Sequence, residues 1–181
     1  MQITNTAIPE VLLFEPKTHF DERGYFMETF RASYFSDRDL EHQFVQDNQS
    51  FSVKGTLRGL HCQRHNPQGK LVRVVSGEIF DVAVDIREGS PFLGQWVGEY
   101  LSSDNQRQLW IPPGFAHGFY VTSETAVIVY KCSGYYCAED EVSILWRDPS
   151  LSIHWPIYGS EPLLSAKDST GLTFNEFRSL A

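Results

Sequence analysis

The chain has 181 residues, with 23 acidic side chains against 15 Lys and Arg, so its formal net charge at pH 7 is -8. This length suits a single domain, residues 1–181, whose core needs neither a disulfide nor a metal. The negative charge argues against non-specific binding to nucleic acid or acidic lipid, because these polyanions would be repelled. Aromatic residues make up 14% of the chain, and 13 Gly with 9 Pro indicate many short strands and turns. We therefore expect a mostly β protein.

Targeting and redox signals point to a cytoplasmic protein. The N-terminus has no basic segment followed by an apolar one, and no apolar run approaches the roughly 18 residues of a membrane span. Cys62, Cys132 and Cys137 are odd in number and lack CxxC spacing, which indicates buried free thiols. We therefore expect no membrane partner.

The first elements in chain order are a strand within residues 1–16 and another within Asp21–Phe30. In the second, both alternating sets of side chains are partly apolar, which predicts burial on both faces. A small domain seldom covers both faces of an early strand, so we expect this strand to add to the sheet of a partner subunit. Residues 32–42, with Ser33 or Ser36 as N-cap, predict a short helix or two turns.

Eight further strands are predicted at intervals of roughly 8 to 12 residues, with turn signals between them. Their predicted ranges are 44–48, 56–63, 70–76, 78–86, 96–101, 107–111, 118–122 and 125–132. This spacing is typical of a β-sandwich or barrel. From Ser143 onward we expect irregular structure that wraps the barrel, with a last short helix around Asn175–Leu180.

Two segments, Gly55–Ser90 and Trp110–Gly118, have the outline of the paired motifs of a cupin barrel. A metal-binding cupin has a His-x-His pair and then a Glu seven residues before the turn glycine, and counting back from Gly77 reaches Lys70. An ammonium group at that position would repel a divalent cation and hold an anion. We therefore expect metal-free chemistry on a substrate that develops negative charge.

Tyr130 shares one face of the last predicted strand with Ala126, Ile128 and Cys132. It is therefore a candidate to point into the barrel, either as a core tyrosine with a satisfied hydroxyl or as a general acid. In the second case, a nearby Lys70 would make the phenolic proton easier to release.

His61 is the strongest candidate among the histidines, although a lone histidine in a strand is more often a structural hydrogen-bond donor. If the two cupin-like segments pair, His61, His117 and Lys70 converge on one cavity. Such a polar cluster is costly to desolvate unless it serves a ligand or catalysis. The remaining histidines have surface-like surroundings and are expected to be solvated: His19, His42, His65 and His154.

A histidine that removes a carbon-bound proton works best when a carboxylate fixes one ring nitrogen. Asp81, Asp85 and Asp168 are the available carboxylates, and the residues alone do not choose among them. Asp81 and Asp85 alternate with apolar residues, so a solvated or salt-bridged strand face is the alternative interpretation for both.

Seven motifs covering nearly the whole chain now identify a resemblance. They are RGYFMETF at 23–30, FVQDNQS at 44–50, GTLRGLHCQ at 55–63, QGKLVRVVSGEIFDVAVDIREGSP at 68–91, WIPPGFAHGF at 110–119, YKCSGYY at 130–136 and AKD at 166–168. In these motifs the chain resembles the dTDP-4-dehydrorhamnose 3,5-epimerases, nucleotide-sugar epimerases of the cupin superfamily. The resemblance implies an all-β jelly-roll barrel, paired as a homodimer, that acts without metal or organic cofactor. The implied reaction inverts carbons 3 and 5 of dTDP-4-dehydro-6-deoxy-D-glucose to give dTDP-4-dehydro-L-rhamnose.

The resemblance also implies roles for individual residues. His61 looks like the general base with Asp168 as its orienting partner, and Tyr130 looks like the general acid. Lys70 would stabilise the enolate oxygen with His117 beside it. The implied substrate-binding residues are Arg58, Gln46, Asp47 and Asn48, with Tyr136 on the thymine ring, Arg23 and Glu28 reaching a partner's nucleotide, and Glu141 and Lys167 in addition.

Two departures from the family pattern leave the exact substrate open. Cys62 stands where an aromatic residue is common after RGLH, and Phe51 stands where a polar or basic residue is common. The alternatives are a related epimerase that acts at one carbon, a metal-dependent cupin enzyme that uses His61, His65 and His117, and a non-catalytic nucleotide-sugar binder.

Overall fold

The computed structural model of the chain describes residues 1–36, 43–159 and 161–180. The strands are β1 (Gln2–Asn5), β2 (Leu12–Glu15), β3 (Thr18–Asp21), β4 (Gly24–Met27), β5 (Gln46–Val53), β6 (Leu57–Gln63), β7 (Lys70–Ser76), β8 (Glu78–Asp85), β9 (Trp96–Ser102), β10 (Gln108–Ile111), β11 (Phe115–Val121), β12 (Thr125–Cys132) and β13 (Glu141–Ser143). The helices are α1 (Ser33–Ser36), α2 (Ala166–Ser169) and α3 (Phe174–Arg178), with a 3-10 helix at Ala138–Asp140.

Two antiparallel sheets carry the fold. The first has the strand order β1-β2-β10-β7-β12-β5, the second has the order β13-β6-β11-β8-β9, and β3 and β4 form a separate hairpin. Alternation along each strand sends one set of side chains between the sheets. The buried core there includes Val72 and Ile128 from the six-stranded sheet and Ala83, Leu101 and Phe119 from the five-stranded one. The prediction of a cupin-type jelly-roll barrel with few helices is confirmed.

The turn between β7 and β8 requires glycine. Gly77 has φ +81°, and a Cβ there would lie 1.9 Å from the carbonyl oxygen of Thr125. Because no side chain fits at that distance, the turn is restricted to glycine, as the cupin-like motif predicts.

The outer faces of both sheets are covered in part. The C-terminal tail packs Leu151 and Phe174 against Phe80 and Val82 of the five-stranded sheet. The six-stranded sheet packs Trp110 against an aromatic cluster that includes Phe35. None of the helices in these described parts is long and apolar enough to cross a bilayer.

Several boundaries differ from the predictions. Residues 1–16 form two strands, because a turn containing Pro9 reverses the chain and the amide of Thr6 bonds to the carbonyl oxygen of Val11 at 3.2 Å. The strand predicted to end at residue 48 continues to Val53. Of the helix predicted for residues 32–42, Ser33–Ser36 is observed and residues 37–42 lie outside the described residues.

The segment Asp21–Phe30 is not buried on both faces within this chain. Asp21 ends β3 and Gly24–Met27 forms β4, and among the described residues β4 pairs only with β3. Phe20 and Phe26 are 77% and 73% exposed. The predicted double burial is therefore not provided by the subunit's own residues.

Candidate active site

A cavity of about 370 Å³ lies between the two sheets and receives side chains from both. The five-stranded sheet contributes Arg58, His61 and Gln63 on β6 and His117 on β11. The six-stranded sheet contributes Lys70 on β7, Tyr130 on β12, and Gln46, Asn48 and Ser50 on β5. A ring bound in this cavity would be contacted by different groups on its two faces.

His61 forms a short hydrogen bond with Asp168, from Nε2 to Oδ1 at 2.5 Å. The aspartate side chain is 4% exposed, whereas that of His61 is 21% exposed and lines the cavity. The other bonds of the carboxylate come from the amide of Gly59 at 3.2 Å and the hydroxyl of Ser165 at 2.6 Å. Burial disfavours the charge of Asp168, but these hydrogen bonds outweigh it and lower its pKa to about 2. The structure therefore selects Asp168 from the three candidate carboxylates.

Asp168 reaches His61 because the C-terminal tail docks on β6. Ser165 caps α2, its hydroxyl accepting a bond from the amide of Asp168. Short parallel bridges on either side of this helix join Thr56 to Leu163 and Ile144 to Leu172. The tail thus fixes the position of the carboxylate from both ends of α2.

A second histidine–aspartate pair lies beside the first. His117 is the direct cross-strand neighbour of His61, and its Nε2 lies 2.9 and 3.0 Å from the two carboxylate oxygens of Asp81. Asp85, on the same face of β8, binds Arg87 at 2.6 Å instead. Asp81 and Asp85 are both 0% exposed, so neither is solvated, and the salt-bridged interpretation holds for Asp85.

Lys70 is half-buried and lines the cavity. Burial lowers the pKa of its ammonium group. Within the described ranges its side chain forms no hydrogen bond or ion pair, so its donors are available to a ligand. No group of three or more His, Cys, Asp and Glu side chains is arranged to hold a metal ion in that part of the chain.

Tyr130 lies on the wall that faces His61. It is the cross-strand neighbour of Asn48, and Lys70 pairs with Cys132, two residues further along β12. Burial raises the pKa of the phenol, and Cys132 adds to this effect. The cation that partly offsets this rise is Arg58, so the expectation that Lys70 eases release of the phenolic proton stays a prediction.

Cys62 is the neighbour of His61, but it packs on the other face of β6 with Leu60 and Phe80. Burial raises the pKa of its thiol to about 12. A thiolate nucleophile is therefore disfavoured at this position.

The mouth of the cavity is organised around one carboxylate. Glu141 accepts hydrogen bonds from Lys167 at 2.7 Å and from the hydroxyl of Tyr136 at 2.9 Å. Burial disfavours the charge of Glu141, yet these two bonds outweigh that effect and lower its pKa. Arg58 lies further along β6 and donates from Nε to Ser52 at 3.1 Å.

Besides Asp168, which lies behind His61, three predicted site residues lie outside the cavity of this subunit. Asp47 lies on the opposite face of β5 from Gln46 and Asn48, because alternate strand residues point to opposite sides, and it pairs with Lys131 at 3.0 Å. Arg23 binds Asp21 in the exposed hairpin, and Glu28 binds Arg31. The structure therefore does not bring Asp47, Arg23 and Glu28 together with the other candidates.

The sequence reasoning gave no role to three polar residues that line the cavity, Ser50, Gln63 and Gln68. It considered Asp81 only as a partner of the catalytic histidine, whereas this carboxylate holds His117 from behind. The inward alternation of Ile79, Asp81 and Ala83 could have placed Asp81 inside the barrel. Gln63 follows His61 by two residues on β6, so the same alternation could have placed it on the cavity face, whereas its partners in the loops had no sequence signal.

Comparisons with known proteins agree with this geometry. The model of the dTDP-4-dehydrorhamnose 3,5-epimerase family matches residues 5–176. The curated enzyme of that name from Pseudomonas aeruginosa is 53% identical over 96% of both chains. That from Neisseria gonorrhoeae is 55% identical over 96% of this chain, which spans 53% of that relative's length.

A solved structure agrees as well. The dTDP-6-deoxy-D-glucose-3,5-epimerase of Legionella pneumophila, crystallised in complex with dTDP-4-keto-L-rhamnose, is 54% identical and superposes with a TM-score of 0.93. The match covers 96% of this chain and 93% of the other. The chain therefore belongs to the dTDP-4-dehydrorhamnose 3,5-epimerase family.

Proposed function

We propose that the protein epimerises dTDP-4-dehydro-6-deoxy-D-glucose at carbons 3 and 5 to give dTDP-4-dehydro-L-rhamnose. The observation that carries the proposal is the arrangement of the cavity. His61, backed by Asp168, lies on one sheet, while Lys70 and Tyr130 lie on the facing sheet. Inversion needs a base and an acid on opposite faces of the sugar ring, and two facing sheets provide that separation.

His61 acts as the general base. Because its Nε2–H donates to Asp168, the lone pair is on Nδ1, which is then the nitrogen that accepts a proton from the substrate. The ketone at carbon 4 acidifies the hydrogens on carbons 3 and 5. When the imidazole becomes charged, the adjacent carboxylate stabilises it.

Lys70 stabilises the enolate oxygen that results. Its ammonium group projects donors into a partly dry cavity, where a preorganised donor typically contributes roughly 3 kcal/mol to transition-state stabilisation. The developing oxyanion also favours the charged form of Lys70, which offsets the effect of burial on its pKa. His117, fixed by Asp81, lies on the facing wall.

Tyr130 acts as the general acid. Because burial raises its pKa, the phenol keeps its proton until a strong base, the enolate carbon, is present. Protonation from the wall opposite His61 produces the inverted centre.

The charge of the cavity suits a nucleoside diphosphate. Among the described residues that line it, the cations are Arg58, Lys70 and Lys167, and the only carboxylate is Glu141. This local excess of positive charge occurs in a chain of net charge -8. We assign Arg58, Gln46, Asn48 and Lys167 to substrate binding and Tyr136 to stacking on the thymine ring.

We further propose that the protein is a cytoplasmic homodimer with one domain per subunit. The β3–β4 hairpin exposes Phe20 and Phe26, and the six-stranded sheet exposes Phe51, Val53 and Val75 on its outer face. A second copy would cover these apolar side chains. Arg23 and Glu28 of one subunit would then reach the nucleotide in the other subunit's cavity.

Light scattering after size exclusion tests the dimer. Phe26→Ser should shift the protein toward monomer, whereas Tyr158→Ser, which alters an equally exposed aromatic residue elsewhere, should not. A wild type that is monomeric at micromolar concentration would contradict the proposal.

The reaction is tested by incubation with dTDP-4-dehydro-6-deoxy-D-glucose in deuterium oxide, followed by NMR of the product. Label and inversion at carbons 3 and 5 are expected. Inversion at one carbon would identify the single-carbon alternative, and tight dTDP binding without exchange would identify a binder. Loss of exchange after chelation that returns with a divalent metal would identify the metal-dependent alternative.

A further inference from the structure

The loop after β12, residues 133–137, carries Tyr136 to the mouth of the cavity and is bonded at each residue. Its bonds are Ser133 N to Gly69 O at 2.9 Å, Gln68 Nε2 to Gly134 O at 2.7 Å, Gln63 Nε2 to Tyr135 O at 3.3 Å, Tyr136 N to Gln46 Oε1 at 3.0 Å, and Cys137 N to Gln63 Oε1 at 2.8 Å. A loop held at every residue has one conformation before any ligand arrives.

Gln63 supplies two of these bonds and joins the loop to the strand of the general base. It is the last residue of β6, which also carries Arg58 and His61, and it is 6% exposed. Its Oε1 accepts from Cys137, and its Nε2 donates to Tyr135. The second hydrogen of Nε2 is donated to the carbonyl oxygen of Asn66, so the amide has no donor left for the substrate.

The side-chain amide of Gln63 also forms a hydrogen bond to a second loop at the mouth of the cavity. Gln63 Nε2 donates to the carbonyl oxygen of Asn66 at 2.8 Å. From the other side, the buried Asp140 accepts bonds from the amides of His65 at 2.9 Å and Asn66 at 2.8 Å. One glutamine therefore connects the two loops that form the rim, residues 64–69 and 133–137.

We propose that Gln63 is a positioning residue for nucleotide binding, which holds the Tyr136 loop in its binding conformation before the substrate arrives. This inference rests on the proposed function, because it takes Tyr136 to contact the nucleotide. Gln63 acts through the backbone of residues 135 and 137 and touches no reacting group.

The position of Gln63 predicts that its substitution changes the affinity for the nucleotide rather than the rate of proton transfer. If the loop is free, the nucleotide must order it on binding, and that cost appears in the dissociation constant and in KM. The base, its aspartate and the acid are held by other contacts. The rate of solvent exchange at saturating substrate should therefore change little.

Gln63→Glu is the sharpest test, because it keeps the shape of the side chain and replaces a donor by an acceptor facing two carbonyl oxygens. We expect the dTDP dissociation constant, measured by calorimetry, and KM to rise about tenfold or more. Deuterium exchange at saturation should stay within about threefold of wild type. An unchanged dissociation constant, or a fall in saturated exchange with KM unchanged, would overturn the proposal.

A double-mutant cycle with Tyr136→Ala shows whether Gln63 acts through that loop. In the Tyr136→Ala background, Gln63→Glu should weaken dTDP binding by less than about threefold, because the side chain that it positions is gone. If Gln63→Glu raised the dTDP dissociation constant equally in both backgrounds, the proposal would be refuted.

The controls separate this inference from folding and from the proposed function. Gln95→Glu changes an exposed glutamine that donates to one carbonyl oxygen and should bind dTDP normally. If Gln63→Glu does not fold by circular dichroism, Gln63→Met removes the same bonds without a charge, with the same expected result. A wild type without epimerase activity refutes the proposed function, whereas an active wild type with a normal Gln63→Glu variant refutes this inference alone.

Discussion

Asp168→Asn tests how strongly His61, the proposed general base, depends on the buried carboxylate of Asp168. The pKa of Asp168 is lowered from 3.8 to about 2, so its surroundings favour the ionised form. A shift of this size corresponds to roughly 2 kcal/mol. The side chain is 4% exposed, so solvent screening is weak.

Part of this electrostatic interaction acts during the reaction, because the ionised carboxylate stabilises the imidazolium that forms when His61 accepts a proton. Asparagine keeps the shape and a hydrogen-bond acceptor but loses the charge. Because Ser165 and Gly59 also contribute to the lowered pKa of Asp168, only part of this free energy belongs to the pair with His61, and we expect kcat and saturated solvent exchange to fall about tenfold or more. The affinity for dTDP should be unchanged, because Asp168 lies behind His61 and does not line the cavity.

The assay is deuterium incorporation by NMR at saturating substrate, with calorimetry for dTDP. Asp148→Asn is the matched control, since Asp148 is equally buried and binds the amide of Phe174 at 2.8 Å, away from the cavity. That variant should lose stability without losing exchange at saturation. Exchange by Asp168→Asn within threefold of wild type would show that the charge of the carboxylate does not assist the base.

Three other predictions follow from the same geometry. Tyr130→Phe should retain exchange of substrate hydrogen but lose inverted product, and a normal rate of epimerisation would remove Tyr130 from the role of acid. Lys70→Met should lower kcat by about a hundredfold, because one oxyanion donor is lost, with dTDP affinity unchanged; a normal kcat would contradict that role. The folded-state pKa of Asp168 lies below its usual value, so the carboxylate stabilises the fold above about pH 4 and this contribution is lost as pH falls toward about 2. Acid unfolding followed by circular dichroism should therefore show a weaker pH dependence for Asp168→Asn than for wild type between these pH values.

Strand periodicity predicted most of the barrel because alternation and turn residues are local signals. β7 and β12 have the predicted limits, and His61, Lys70 and His117 lie in one cavity as the pairing of the two cupin-like segments predicts. The aromatic segment that contains Phe26 could not be predicted in the same way, because a hairpin with exposed rings depends on what covers it.

The polar partners in the site depended on contacts distant in sequence. The carboxylate that bonds to His61 could be chosen from the three candidates only once the docking of the C-terminal tail was known. For Asp47 the strand alternation was enough, because it places Asn48 in the cavity and Asp47 on the opposite face of β5. The rise in the pKa of Tyr130 also depends on such contacts, because burial of the phenol exceeds the lowering influence of Arg58, a cation that the sequence reasoning did not place beside it.

The separation of 107 residues between His61 and Asp168 has a consequence for how the enzyme matures. During synthesis from the N-terminus, the strands that bear His61, Lys70 and Tyr130 all leave the ribosome before α2 does. A barrel formed at that stage would have a cavity in which the imidazole of His61 lacks its carboxylate partner until α2 has emerged and docked. A chain shortened before residue 165 would lack Asp168, and it would also lack Phe174, which packs on the five-stranded sheet.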